Sequence, residues 1–146
     1  MNKEYPHSIQ KYKQRFFQER LKVLSVSMPE AVYLSKILDQ GTIKMSELIQ
    51  DLPFHKSHAT RSLAKLEEAG LIDKCIDPDD QRGYIITLKH KGITIAQTVR
   101  QVKDDWDKLL YQGLSPDEAK SLERIHEKIY CYLKTFFQED HHEKDV

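Results

Sequence analysis

Residues 54–88 constrain the fold of this chain more than any other stretch, because a helical pattern there passes through a glycine into a hairpin pattern. Three apolar residues recur at steps of four and three and so share one helix face; they are Ala59, Leu63 and Leu66. Gly70 can adopt the left-handed conformation that ends a helix. Strand-like segments then flank a turn of Asp, Pro and Gly residues. The sequence therefore predicts a helix over residues 55–69 and a hairpin with its turn at residues 77–83.

The opposite face of the predicted helix lacks the Glu and Lys ladder of an ordinary solvated helix. It carries hydroxyl, imidazole and basic groups near its amino end, which can reach base edges and phosphates in a major groove. The positive end of the helix dipole favours phosphate at the same place. The candidate DNA contacts on this helix are Lys56, Ser57, His58, Thr60, Arg61 and Lys65.

A second, shorter helix is predicted just before the first, over residues 44–52, where Pro53 closes it. A short helix, a tight turn and a longer helix with a polar face make a helix-turn-helix. A hairpin directly after the second helix is a wing. Arg82 on this wing can enter a minor groove, and Asp80 is predicted to orient Arg82 rather than to face the DNA.

Three segments resemble, in order, the MarR family of bacterial winged helix-turn-helix transcriptional regulators: residues 66–72, 77–82 and 87–92. The Asp80-x-Arg82 pair matches the wing motif of that family. Ser57, Thr60 and Arg61 fall where its recognition helix contacts DNA. The resemblance departs at His55 and His58, where small hydroxyl residues are expected.

The resemblance implies a homodimer that binds a pseudo-palindromic operator in double-stranded DNA and represses transcription until a small aromatic or lipophilic effector relieves it. It also implies that Thr42 and Ile43 form a short strand pairing with the wing. In this family the effector commonly sits where the long helix meets the winged region. Trp106 and Tyr33 are candidates there by location alone.

The remaining segments are predicted to be helices. Residues 5–24 carry a mainly aromatic stripe, a seam like that of a coiled coil runs through residues 95–109, and another apolar stripe runs through residues 122–136. Two capping boxes start helices, Ser27 with Glu30 and Ser115 with Glu118. The two terminal helices leave apolar area that a two-fold dimer would cover.

The predicted fold class is therefore mainly α, an α+β winged helix-turn-helix with N- and C-terminal dimerisation helices. The predicted divisions, listed in order, are an N-terminal dimerisation helix over residues 1–28, the winged helix-turn-helix over 29–92, the long connecting helix with the C-terminal dimerisation helix over 93–138, and a flexible tail over 139–146.

Composition describes an ordinary globular chain, since 39% of its 146 residues are hydrophobic and 32% are charged. No apolar stretch approaches the roughly 20 residues that cross a bilayer, and the start lacks a signal-peptide core, so a cytoplasmic location is expected. The 23 basic and 23 acidic residues balance. Because phosphate contact drives DNA affinity, this balance supports one alternative, a winged-helix module that binds protein without reading DNA.

The sequence gives little indication of thiol sensing or metal binding. Cys75 and Cys131 are far apart and are expected to be small buried hydrophobes, with a thiol-sensing variant of the regulator as the alternative. Two histidine pairs complete no recognisable metal set, and a metal-sensing variant of the regulator is the alternative; the pairs are His55 with His58 and His141 with His142. No metal and no cofactor is expected.

Catalysis is not expected either. Asp79 and Asp80 are paired carboxylates, but they lie in a predicted exposed turn and not in an enclosed site, so they are not expected to act as an acid and its base. Ser57 and His58 are adjacent on a helix and point about 100° apart, so they do not form a nucleophile and its base.

Overall fold

The structure, a computed structural model, describes residues 4–50, 52 and 54–142, with side chains up to residue 137. The predicted helix over residues 44–52 therefore has Asp51, and its closing Pro53, outside the described residues. The helices are α1 (Glu4–Val23), α2 (Met28–Gln40), α3 (Met45–Gln50), α4 (Lys56–Glu68), α5 (His90–Tyr111) and α6 (Pro116–His142). The strands are β1 (Thr42–Lys44), β2 (Ile72–Asp77) and β3 (Asp80–Leu88).

The chain divides into two compact units, residues 1–106 and 107–146, with the division inside α5. The first unit holds α1 to α4, the sheet and most of α5, and the second holds α6. Residues 143–146 of the predicted tail lie outside the described residues. None of the described helices is both long and apolar enough to cross a membrane.

The sheet is antiparallel with the order β1-β3-β2, so β3 is central. Ile43 of β1 pairs with Ile86 of β3, which confirms that the short strand at Thr42 and Ile43 pairs with the wing. In the wing, Asp77 pairs with Asp80 after a register shift. The reversal is therefore tighter than the predicted turn over residues 77–83, because an Asp–Pro–Asp–Asp sequence closes it in four residues.

The inner face of α4 is buried as the sequence predicts. Its Ala59, Leu63 and Leu66 are at most 2% exposed, and the helix packs against α2 and β2. Gly70, at φ +74°, ends the helix in the left-handed conformation. The N–H of Leu71 donates to the Leu66 carbonyl at 3.0 Å and the N–H of Gly70 to that of Glu67 at 3.0 Å, which is a Schellman motif.

Both predicted capping boxes are confirmed. At α2 the Ser27 N–H donates to Glu30 Oε2 at 3.0 Å, and the Glu30 N–H donates back to Ser27 Oγ at 3.3 Å. Ser115 and Glu118 make the same pair of bonds at the start of α6, at 2.8 and 3.2 Å. Pro29 occupies the second position of α2, because Met28 begins that helix.

The amphipathic faces of α1 and α5 differ in part from the predicted ones. In α1 the buried residues are Phe17 and Leu21, whereas most of the predicted stripe is exposed; its exposed members are Tyr5, Ile9, Tyr12 and Val23. A single turn of this helix suffices to contact the core. In α5 the central part of the seam is buried, and Trp106 lies 5.4 Å from the Phe16 ring centroid.

A row of three aromatic rings joins α2 to the amino end of α4. The ring centroid of Phe54 lies 5.6 Å from that of Tyr33 and 5.6 Å from that of His58. Tyr33 is fully buried. Its hydroxyl and His58 Nδ1 are buried and have no hydrogen-bond partner among the described residues. Burial also raises the pKa of the Tyr33 hydroxyl above its ordinary value.

Replacement of Gly92 by alanine is expected to lower the free energy of unfolding by about 1–3 kcal/mol. A Cβ at this position would lie 1.9 Å from the carbonyl oxygen of Leu71, so backbone would have to shift. Alanine normally stabilises a helix relative to glycine, which makes a loss diagnostic. Gly113→Ala is the control, since its Cβ would meet nothing within 4 Å. Equal melting temperatures for the two variants by circular dichroism would contradict the close approach.

Tyr33→Phe is expected to keep or raise the free energy of unfolding, by up to about 1 kcal/mol, because a buried hydroxyl without a partner is a cost. Tyr12→Phe removes an exposed hydroxyl and serves as the control that should have no effect. Urea titration followed by Trp106 fluorescence measures both variants. A clear loss of stability in Tyr33→Phe alone would mean that the hydroxyl has a partner after all.

Candidate nucleic-acid interface

The amino end of α4 is capped by a histidine, which sequence reasoning missed. The backbone N–H of Ser57 donates to His55 Nδ1 at 3.3 Å, and the Ser57 hydroxyl lies 2.9 Å from the same nitrogen. An imidazole accepts through Nδ1 only when it is neutral with its proton on Nε2. Since Asn, Asp, Ser and Thr are the usual caps, composition offered no signal for His55.

The outer face of α4 is open. Most of the predicted contacts on it are exposed; these are Lys56, Ser57, Thr60, Arg61 and Lys65. Thr60 Oγ1 donates to the Lys56 carbonyl at 2.9 Å, so this hydroxyl has its proton engaged and can still accept. The α4 surface therefore offers one guanidinium and two ammonium groups beside two hydroxyls, and none of its first-turn residues is acidic.

His58 differs from the other predicted contacts, because it is half-buried and its ring stacks on Phe54. It lies at the flank of α4, between the inner and outer faces. Its ring contacts hold the amino end of the helix against α2 through Tyr33. Helical periodicity alone does not reveal this role, because Phe54 precedes the helix.

In the wing, Arg82 is exposed and lies on β3 rather than in the turn. The Arg82 backbone N–H donates to Asp80 Oδ1 at 3.0 Å. Asp80 thus shapes the backbone that carries Arg82 through this bond to the main chain. The predicted orienting role of Asp80 therefore takes the form of a turn contact.

The wing and the helix-turn-helix enclose a cleft of about 420 Å³. Residues from β1, α3, α4 and the wing line it, and three of them are cations, Lys44, Lys56 and Arg82. The structure thus brings two predicted contacts of α4, Lys56 and Thr60, to the same cleft as Asp80 and Arg82. The remaining predicted contacts do not line it.

Two further wing features were not predicted. Lys74 Nζ lies 4.1 Å from the ring centroid of Tyr84 on the opposite strand, a cation–π contact that keeps a cation on the wing surface. Asp77 is buried at 3% exposure. A buried carboxylate in a predicted surface turn cannot be recognised from the pattern of turn residues.

The expected burial of the two cysteines is wrong, because both are exposed. Cys75 lies on the projecting part of β2, where four consecutive residues are exposed. Cys131 lies on α6, which buries none of its described side chains. Among the residues with described side chains, no group of three or more His, Cys, Asp or Glu is placed to hold a metal ion.

Comparison with known proteins identifies relatives of one kind. A sequence model described as the MarR family matches residues 26–84. The transcriptional regulator BilQ of Clostridioides difficile is 26% identical over 62% of this chain and 61% of its own length. The multiple antibiotic resistance protein MarR of Escherichia coli is 27% identical over 84% of this chain and 86% of its own.

A solved structure of a mutant MarR from Escherichia coli in complex with operator DNA superposes with a TM-score of 0.74 at 27% identity, and covers 86% of this chain and 91% of that one. These relatives are all regulators, which confirms the expectation that the chain is not an enzyme. The sequence match over residues 26–84, the winged helix and the structural likeness all support a winged helix-turn-helix transcriptional regulator that resembles the MarR family.

Proposed function

We propose that the protein is a homodimeric regulator that binds a specific operator in double-stranded DNA, with α4 in a major groove and the wing in the neighbouring minor groove. The observation that carries this proposal is the contrast between the two faces of α4. Its inner residues are at most 2% exposed, whereas Ser57, Thr60 and Arg61 are exposed. A helix that is held firmly on one side and offers donors on the other suits base readout.

The likeness to MarR bound to operator DNA supports the same proposal, since it covers 86% of this chain. In this proposal Arg61 is assigned to base edges and Arg82 to the minor groove. Lys56 and Lys65 are assigned to phosphates. His58 is left out of the proposed contacts because its ring packs on Phe54.

The balanced net charge is compatible with DNA binding if the cations are concentrated where the DNA lies. Lys56, Arg61 and Lys65 share one helix with two acidic residues, both in its last turn. The neutral remainder of the molecule gives little long-range attraction. Each protomer then binds DNA weakly, and two protomers on a two-fold site supply the affinity.

The apolar stripe of α6 supports the dimer. Its large apolar residues between 125 and 137 are between 44% and 69% exposed, which is unusual for a stable monomer. Tyr5, Ile9 and Tyr12 of α1 are exposed in the same way. A second copy of the chain would bury both stripes in an isologous interface.

Regulation is proposed to be repression that a small aromatic or lipophilic effector relieves, as the resemblance to the MarR family implies. An effector acts by changing the spacing of the two α4 helices, which must match half-sites about 34 Å apart. Tyr33 and Trp106 lie within the packed interior, so neither is assigned to the effector. An operator on the bacterial chromosome places the protein in the cytoplasm.

Arg61→Ala is expected to weaken operator binding by about 1–3 kcal/mol and to relax sequence preference, because it removes a base contact. Arg82→Ala is expected to weaken binding more evenly across sequences. Fluorescence anisotropy with operator and scrambled duplexes over a salt series measures both. Lys103→Ala on α5 removes the same charge from an exposed site and should change little. Salt-independent binding, or no effect of either arginine change, would favour the protein-binding alternative.

Ile129→Asp is expected to convert the dimer to monomers and so to abolish measurable operator binding, because the charge would be buried in the apolar interface. Lys120 lies on the opposite face of α6 from Ile129, so Lys120→Asp should leave the dimer intact. Analytical ultracentrifugation at micromolar concentration measures the mass of each. A dimeric Ile129→Asp protein would exclude this stripe from the interface.

A further inference from the structure

The wing turn contains a buried charge. Asp77 is 3% exposed and is the one charged side chain buried among the described residues. A carboxylate at such a position is unfavourable unless its oxygens are paired. Asp77 lies where the register of the hairpin shifts, opposite Asp80, so it stands at the base of the turn that leads into Arg82.

The two oxygens of this carboxylate have different partners. Oδ1 accepts the backbone N–H of Asp79 at 2.9 Å, which forms an Asx turn. Oδ2 faces Lys44 Nζ at 3.8 Å. Lys44 is the last residue of β1, and Met45 begins α3 directly after it. One oxygen thus shapes the wing, and the other reaches the start of the helix-turn-helix.

The same carboxylate is also close to the strand that carries the wing arginine. A Cβ on Gly83 would lie 3.7 Å from Asp77 Cβ, so Asp77 packs beside the residue that follows Arg82. Asp77, Lys44 and Arg82 line the same cleft. Asp77 is therefore the point at which turn, strand and helix-turn-helix meet.

We propose that Asp77 is a positioning residue, which through Lys44 fixes the angle of the wing against the helix-turn-helix and so determines where Arg82 meets DNA. The inference rests on the proposed function for the role of Arg82. An asparagine would satisfy the Asx turn as well as an aspartate does, since both offer an oxygen acceptor. The charge is needed only for the pairing with Lys44.

The tests use the full-length protein and two isosteric variants. Asp77→Asn keeps the turn acceptor and removes the charge, while Asp79→Asn removes the same charge from an exposed position in the same turn. Loss of a negative charge alone should raise DNA affinity slightly in both. Asp77→Asn is instead expected to weaken operator binding by at least about fivefold, and Asp79→Asn is not.

A double-mutant cycle with Arg82→Ala separates positioning from a general loss of stability. If Asp77 places Arg82, then Arg82→Ala costs clearly less affinity in the Asp77→Asn background than in the native one. Lys44→Gln should reproduce this coupling. Equal costs in both backgrounds, or equal affinities for Asp77→Asn and Asp79→Asn, would overturn the proposal.

Hydrogen exchange without DNA gives a readout that does not depend on the proposed function. In Asp77→Asn the amides of residues 79–84 are expected to exchange about tenfold faster while those of α5 are unchanged. If Arg82→Ala has no effect on native DNA binding, the proposed function of Arg82 fails, and hydrogen exchange alone decides whether Asp77 holds the wing. Unchanged exchange in the wing would reject the inference in either case.

Discussion

Burial of the inner stripe of α4 is the interaction on which the interface depends. The helix has 13 residues, a length at which an isolated helix is marginal in water. Leu63 and Leu66 are at most 2% exposed and together contribute about 3–6 kcal/mol from burial. The Schellman motif at Gly70 and the aromatic row at Phe54 then hold the two ends. Because packing on one side holds this helix, the other side is free to carry polar groups that add nothing to folding.

Periodicity predicted the elements that bury a regular stripe. It located the inner face of α4, both capping boxes and the central part of the α5 seam, since these depend on local spacing. It did not identify the residues of α1 that contact the protein's own core, because an amphipathic helix with two usable apolar faces does not reveal which one meets its own unit. The predicted turn of the wing was too long, because the pattern of Asp, Pro and Gly residues does not specify at which residue strand pairing starts.

The sequence also allowed part of the candidate site to be predicted. Residue type and family likeness identified the basic and hydroxyl groups of α4 and the wing arginine, and the structure places most of these at the surface. The residues that contact each of these groups could not be predicted from the sequence. That His55 caps the helix, that His58 stacks inward on Phe54 and that Asp77 is buried all depend on contacts between segments with no periodic relation. The exposure of Cys75 was missed for a different reason, because a free cysteine is most often a small buried hydrophobe.

Because β2 is an edge strand of the sheet, its position affects how the protein behaves in concentrated solution. Its outer N–H and C=O groups have no strand beside them within the described residues, and such a row can recruit another chain into an extended aggregate. Asp73 and Lys74 are exposed on this strand, and charged side chains on an edge strand oppose pairing with another chain. The hairpin can therefore project from the molecule without acting as a template for fibril growth.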